Sequence, residues 1–277
     1  MWRSIIMAVK YMMGMNLVAA LLSIPVIASG IWVSTQADNA CVHILQWPLI
    51  GLGIAVLVVG IAGFVAAFWR LPWLLLVYLV TMLFLIIILA CLAAFVFTVT
   101  SSGGGGGHVV PGRAFLEYDL DDYSSGSWLR RHLTQGRRWE QIKACLAATN
   151  ICSDLNQTTA QEFFAAAWLS PLQSGCCKPP TRCGYTFVTP SYWISPIDAA
   201  ADPDCATWSN EQGRFCFSCN SCKAGLLRNL RTEWRRADII VAVTTALLLA
   251  VYAMGCYAFR ATKTDHLFHR YRQGYYT

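Results

Sequence analysis

Charge is what this chain has least of. Of its 277 residues only 13% are Asp, Glu, Lys or Arg, against about 25% in an ordinary soluble domain. So few cannot coat a water-facing surface of this size, which excludes a wholly soluble globule and calls for a lipid phase. Also missing is any acidic, basic or histidine residue near the centre of the long apolar runs. Such residues usually mark the pathways of pumps and transporters. The five glycines at 103–107 lack the Gly-Lys-Ser/Thr ending of a phosphate-cradling loop, so they read as a flexible joint. The net charge of +6 has no motif beside it that would point to nucleic acid.

Apolar residues make up 56% of the chain, in four runs at 11–34, 48–68, 72–100 and 238–259. Each reaches the ~20 residues that cross a ~30 Å hydrocarbon core at 1.5 Å per residue. The first is too long for the apolar core of a cleaved signal. The expected fold class is therefore an α-helical membrane protein with four transmembrane helices. Segments 1–10, 69–71 and 260–277 hold seven basic residues and one acidic, whereas 35–47 holds Asp38 and no Lys or Arg. Short-loop charge of this kind puts both termini in the cytosol. The loops 35–47 and 101–237 are then outside, and the large one is read as disulfide-rich and partly helical.

Ten of the twelve cysteines fall in those two loops: Cys41, Cys145, Cys152, Cys176, Cys177, Cys183, Cys205, Cys216, Cys219 and Cys222. An even number on the oxidising side is compatible with complete pairing. The spacing of Cys216, Cys219 and Cys222 superficially suggests metal, but a zinc site needs a fourth ligand and this compartment oxidises thiols. Disulfides are expected, with no metal and no cofactor. The stretch Gly175-Cys176-Cys177-Lys178-Pro179-Pro180 is the hub. Adjacent cysteines cannot easily bridge each other, so each reaches a separate partner. Gly175 is expected to turn the backbone and Lys178-Pro179-Pro180 to extend it. The connectivity stays open.

Within the spans, Asn16 is expected to bond a neighbouring helix, and Gly53, Gly60 and Ala67 recur on one face as a packing seam. In the large loop, 127–148 reads as helical with a break at Gly136, and 161–169 as a short helix before Pro171. Asn156-Gln157-Thr158 is a glycosylation acceptor. Asp119, Asp121 and Asp122 read as a flexible, solvated stretch, which removes the acid or base an enzyme would need. Tyr185, Phe187, Tyr192 and Trp193 are partner-binding candidates if exposed, or the small domain's core if folded inward. No breaker separates Ser221 from Asp238, so a helix there should run on into the fourth span. Cys256, one turn before Arg260, is a palmitoylation candidate, with a buried apolar role as the alternative. The basic, tyrosine-bearing tail suits anionic lipid.

Four spans, a small then a large outer loop, and a double-cysteine motif in the large one resemble the tetraspanins. Gly175–Pro180 is similar to the plant branch, as are Cys41 with Leu45-Gln46-Trp47-Pro48, Cys219–Gly225 and Gly255–Arg260. The resemblance implies a non-enzymatic organiser at the plasma membrane and in vesicles. It implies lateral association with other tetraspanins, with receptors or adhesion proteins, and with itself. Plant members are linked to cell–cell communication, development and reproduction. The alternatives are a lipid- or sterol-binding membrane protein and a four-span junction or channel component. Against the latter, the large loop here lies between the last two spans.

Overall fold

The computed structural model describes residues 2–35, 40–69, 72–101, 104–124, 127–149, 151–165 and 169–274. The chain opens with three long helices, α1 (Trp2–Thr35), α2 (Ala40–Trp69) and α3 (Pro72–Ser101). The antiparallel pair β1 (His108–Val109) and β2 (Leu116–Glu117) follows, then α4 (Trp128–Leu133), α5 (Gly136–Ala148), α6 (Ala160–Ala165) and α7 (Pro171–Cys176). A hairpin of β3 (Thr186–Thr189) and β4 (Tyr192–Ile194) leads to α8 (Pro203–Thr207) and to the 55-residue α9 (Asn220–Gly274). The chain divides into two units, 1–94 with 239–277, and 95–238.

The first unit is helical and has its polarity reversed. Asn16, Ser23, Gly53, Gly60, Gly63 and Ala66 are buried, while Leu22, Ile24, Val58, Phe68 and Phe84 face outward. Burying small and polar groups while exposing branched apolar ones is the arrangement a lipid solvent selects, because packing and hydrogen bonds rather than water exclusion hold such helices together. α1 and α2 meet where glycine permits it. A Cβ on Gly53 would strike Ile27, and one on Gly60 would crowd the backbone of Asn16 and Ala20. The side chain of Ala67, third in the expected seam, lies outside the described residues. Gly63, three residues beyond Gly60, leaves room for the Asn16 amide, whose Oδ1 accepts a hydrogen bond from the Tyr78 hydroxyl at 3.1 Å. Asn16 thus binds α1 to α3 across a glycine of α2.

Among the described residues two helices are long and apolar enough to cross a membrane, Leu76–Ser101 and Asn220–Tyr257. The apolar stretches described within α1 and α2 are shorter, Met13–Ser29 and Gly53–Ala66, although the helices themselves run to 34 and 30 residues. α2 begins at Ala40, ahead of the expected start at Pro48. As the absence of a breaker suggested, α9 continues from Asn220 through the apolar run, and it extends to Gly274.

The second unit has two cores. One gathers Phe115, Trp139, Phe163, Trp193, Phe215 and Phe217 around the cysteines, and the other sets Tyr118, Tyr123 and Leu129 against Ala224 and Leu227 of α9. Gly136, at φ +61°, makes the break between α4 and α5. Pro171 is the first residue of α7, behind a capping box in which Ser170 and Gln173 each bond the other's backbone.

Two expectations fail here. The described part of the pentaglycine run is not a loose joint. Gly105, at φ +97°, lies beneath the Tyr123 ring, and Gly107 lies against Leu116 and Tyr118. At Gly105 and Gly107 tyrosine rings occupy the space a side chain would need, at Gly104 the Asp122 carbonyl does, and Gly106 is uncrowded. Nor is 119–122 a free acidic stretch. Asp119 caps a 3-10 turn by accepting from the Asp121 amide, Asp122 meets His108 at 2.7 Å, and Asp121 lies 3.5 Å from Arg130.

Candidate functional site

The cysteine hub is built at the crossing of α7 and the start of α9. Asp204 prepares that start. Its two carboxylate oxygens accept the Asn220 and Ser221 amides, each at 2.8 Å, satisfying the first donors of a helix otherwise left unpaired. Gly175 sits inside α7 and does not turn the chain. A Cβ there would run into the Ser221 carbonyl, and one on Gly225 into the Pro171 carbonyl. Two glycines therefore let two backbones touch, and Ser221 Oγ donates to the Gly175 carbonyl at 3.2 Å across the contact.

That contact brings Cys176 and Cys222 together as a disulfide with Cα atoms 4.3 Å apart. Cys177 turns the other way, to Cys152. Cys183 joins Cys205, and Cys216 joins Cys219. Cys145 is disulfide-bonded as well. The side chains of Cys41 and Asn156 lie outside the described residues. Both motif cysteines are essentially without solvent contact, and the Cys216 amide donates to the Cys176 carbonyl at 3.1 Å. The motif thus ties α9, the segment before α6 and the Cys216 turn to one point.

Lys178 continues inward. Its ammonium ion-pairs with Glu117 of β2 and lies 4.5 Å from the centre of the Phe115 ring. Only 2% of the lysine side chain is exposed. Burial pushes the Glu117 carboxyl up, but the neighbouring ammonium and hydrogen bonds from Lys178 and Thr181 outweigh it and hold the group below the usual carboxylate range. Burial draws Lys178 below its usual value, and the Glu117 carboxylate offsets only part of that. One carboxylate oxygen takes the Lys178 ammonium, the Thr181 amide and the Thr181 hydroxyl. Three donors on one oxygen suit an ionised carboxylate, in keeping with the lowered Glu117 value. Arg182 extends the network, reaching Asp119 at 2.8 Å and Asp202 at 2.9 Å. A polar cleft of about 100 Å³ opens beside these groups.

The aromatic segment splits by strand alternation. Phe187 and Trp193 point inward, their rings 5.1 Å apart and each beside Phe163. Tyr185 is partly buried, with its hydroxyl on the Cys205 carbonyl at 2.8 Å. Of the four partner-binding candidates only Tyr192 turns its ring to solvent, 51% exposed, in company with Val188, Ile194 and Ile197. Tyr192 and Trp193 are neighbours on one strand and so face opposite ways, whereas Tyr185 and Phe187, two positions apart, both turn inward. Cys256 is a free, half-buried thiol on α9.

The residues that sequence reasoning passed over, Glu117 and Asp204, act on partners 16 to 64 positions away, and no local pattern marks them. Gly225 closes the family-like stretch Cys219–Gly225, but its reason, the Pro171 carbonyl, lies 54 positions earlier.

The chain matches the Tetraspanin family over residues 9–261. It is 53% identical over 262 residues to Protein TORNADO 2 of Arabidopsis thaliana, covering 94% of this chain and 96% of that protein. Tetraspanin-2 of the same plant is 48% identical over 263 residues, at the same coverages. Tetraspanin-8 is 39% identical over 260 residues, covering 92% and 94%. No solved structure matches the chain.

Proposed function

The chain belongs to the tetraspanin family of multi-pass membrane proteins, and from that premise we propose a non-enzymatic organiser at the plasma membrane. It crosses the bilayer four times with both termini cytosolic, and its cysteine-rich unit stands outside the cell. α1, α2, α3 and α9 associate laterally with other tetraspanins and with membrane receptors or adhesion proteins. The cysteine-rich unit chooses among them, in cell–cell communication during development or reproduction. Asn156 carries glycan and Cys256 carries a reversible acyl chain.

The observation that carries this reading is the outward face of the β3–β4 hairpin. Val188, Tyr192 and Ile194 are exposed on a strand pair whose inner face is locked onto Phe163. A rigid scaffold presenting an apolar aromatic patch is how recognition surfaces lower the entropic cost of binding. Proximity labelling in native membranes tests it. The Tyr192→Ser, Ile194→Ser double variant should reach the surface and lose a subset of neighbours while keeping its tetraspanin ones. An unchanged neighbour set would contradict the assignment of recognition to this hairpin.

A further inference from the structure

The cysteine-rich unit begins inside an apolar helix. Phe95 belongs to the stretch Leu76–Ser101, six residues before its end, which at 1.5 Å per residue is about 9 Å down the helix. Its ring meets the edge of Trp128 with centroids 5.4 Å apart. Trp128 is the first residue of α4, so the loop's first helix does not stand clear of the span but returns to it.

α4 is divided lengthwise. Leu129 is buried and Leu133 partly so, both in the cluster that holds Val99 of α3 and Trp234 of α9. This fixes the depth of α4 at the last turns of α3. The other face carries Trp128, Arg131 and His132, at the i, i+3 and i+4 spacing that places side chains together. His132 stacks on the Trp128 ring at 4.3 Å, and Arg131 is exposed. On α9, Arg235 and Arg236 are exposed immediately ahead of the apolar run that starts at Ile239. Aromatic rings at the end of an apolar span, with cations just beyond, match the composition of a membrane–water boundary.

We propose that the face of α4 carrying Trp128, Arg131 and His132 is a lipid-binding surface seated in the outer leaflet. The Trp128 indole lies at the junction of acyl chain and headgroup, and the Arg131 guanidinium lies level with the lipid phosphates. The ligand is bilayer phospholipid. The inference rests on the membrane placement of α3 and on no protein partner.

Photo-crosslinking separates the two. The full-length protein is reconstituted in nanodiscs of phosphatidylcholine doped with a phosphatidylcholine bearing a diazirine high on one acyl chain, then irradiated, digested and mapped by mass spectrometry. Lipid adducts are expected both on peptides of 76–101 and on the peptide containing 127–133, and Trp128→Gln should lose the second set alone. Adducts on 76–101 with none on 127–133 in the unsubstituted protein would overturn the lipid surface and leave the membrane reading standing. Adducts on neither would overturn both.

Discussion

Lys178 and Glu117 lie 61 residues apart in the chain and meet as an ion pair with the lysine side chain almost wholly enclosed. The contact joins the cysteine motif to β2, so the disulfide hub and the N-terminal half of the unit are one structure. Removing one partner of a buried pair leaves the other uncompensated, at a cost of about 3–5 kcal/mol. Lys178→Met should therefore destabilise the unit by that order and sharpen its proteolysis. Adding Glu117→Leu should recover much of the loss, as measured by a double-mutant cycle on thermal unfolding.

Acid should weaken the same region. Glu117 and Asp119 are both pushed up by burial, yet both end below their ordinary values of 4.5 and 3.8. Lys178 and Thr181 hold Glu117 down, and Arg182 and the Asp121 amide hold Asp119. A folded-state value below the unfolded one means the contribution is fully present above the unfolded value and is lost as pH falls through the folded one. Protease resistance should be flat above pH 4.5 and decline below it. Glu117→Gln should flatten part of that decline.

Gly175→Ala should be worse than an alanine in a helix has any right to be. The added methyl meets the Ser221 backbone, which cannot rotate away as a side chain would. Overpacking of this kind costs about 1–3 kcal/mol. It should also separate Cys176 from Cys222, so non-reducing peptide mapping should find that bond depleted and scrambled species in its place.

The disulfides should not be equivalent. Cys176–Cys222 closes a separation of 46 residues and Cys216–Cys219 a separation of 3. Loop-closure entropy makes the first worth about 4 kcal/mol and the second about 2. Replacing Cys176 and Cys222 together by serine should retain the protein inside the cell. The paired replacement of Cys216 and Cys219 should lower the melting temperature and still allow delivery, read by surface biotinylation.

In the helical unit, Asn16→Leu removes the acceptor for Tyr78. Polar contacts between membrane helices average about 0.6 kcal/mol, so a small loss is expected from this change. Gly60→Val, which forces α1 from α2, should cost more. Stability in detergent against denaturant distinguishes the two.

How far this was legible depended on the range of the interaction. Adjacent cysteines must take different partners for reasons local to two residues, and Cys176 and Cys177 do. The break at Gly136 and the uninterrupted run from Asn220 also follow from neighbouring residues. Gly175 was misread because its reason is Ser221, on another helix, and a glycine looks the same whether it turns a chain or admits one. The pentaglycine failed likewise, since Tyr123 is what fills the space above Gly105. Tyr192 and Trp193 could have been told apart in advance, because neighbours on a strand face opposite ways. Which of them faced the core depended on Phe163, some 30 residues earlier and without a pattern to announce it.

Cys176 and Cys177, adjacent in sequence, lead to different parts of the chain. Protein delivered to the plasma membrane should be treated with a membrane-impermeant thiol reagent, denatured, treated with a second reagent of different mass, and mapped without reduction. The account predicts Cys176 linked to Cys222 and Cys177 linked to Cys152, with neither motif cysteine carrying either label. Surface-delivered protein with a labelled Cys176 or Cys177, or with the two joined to each other, would contradict it.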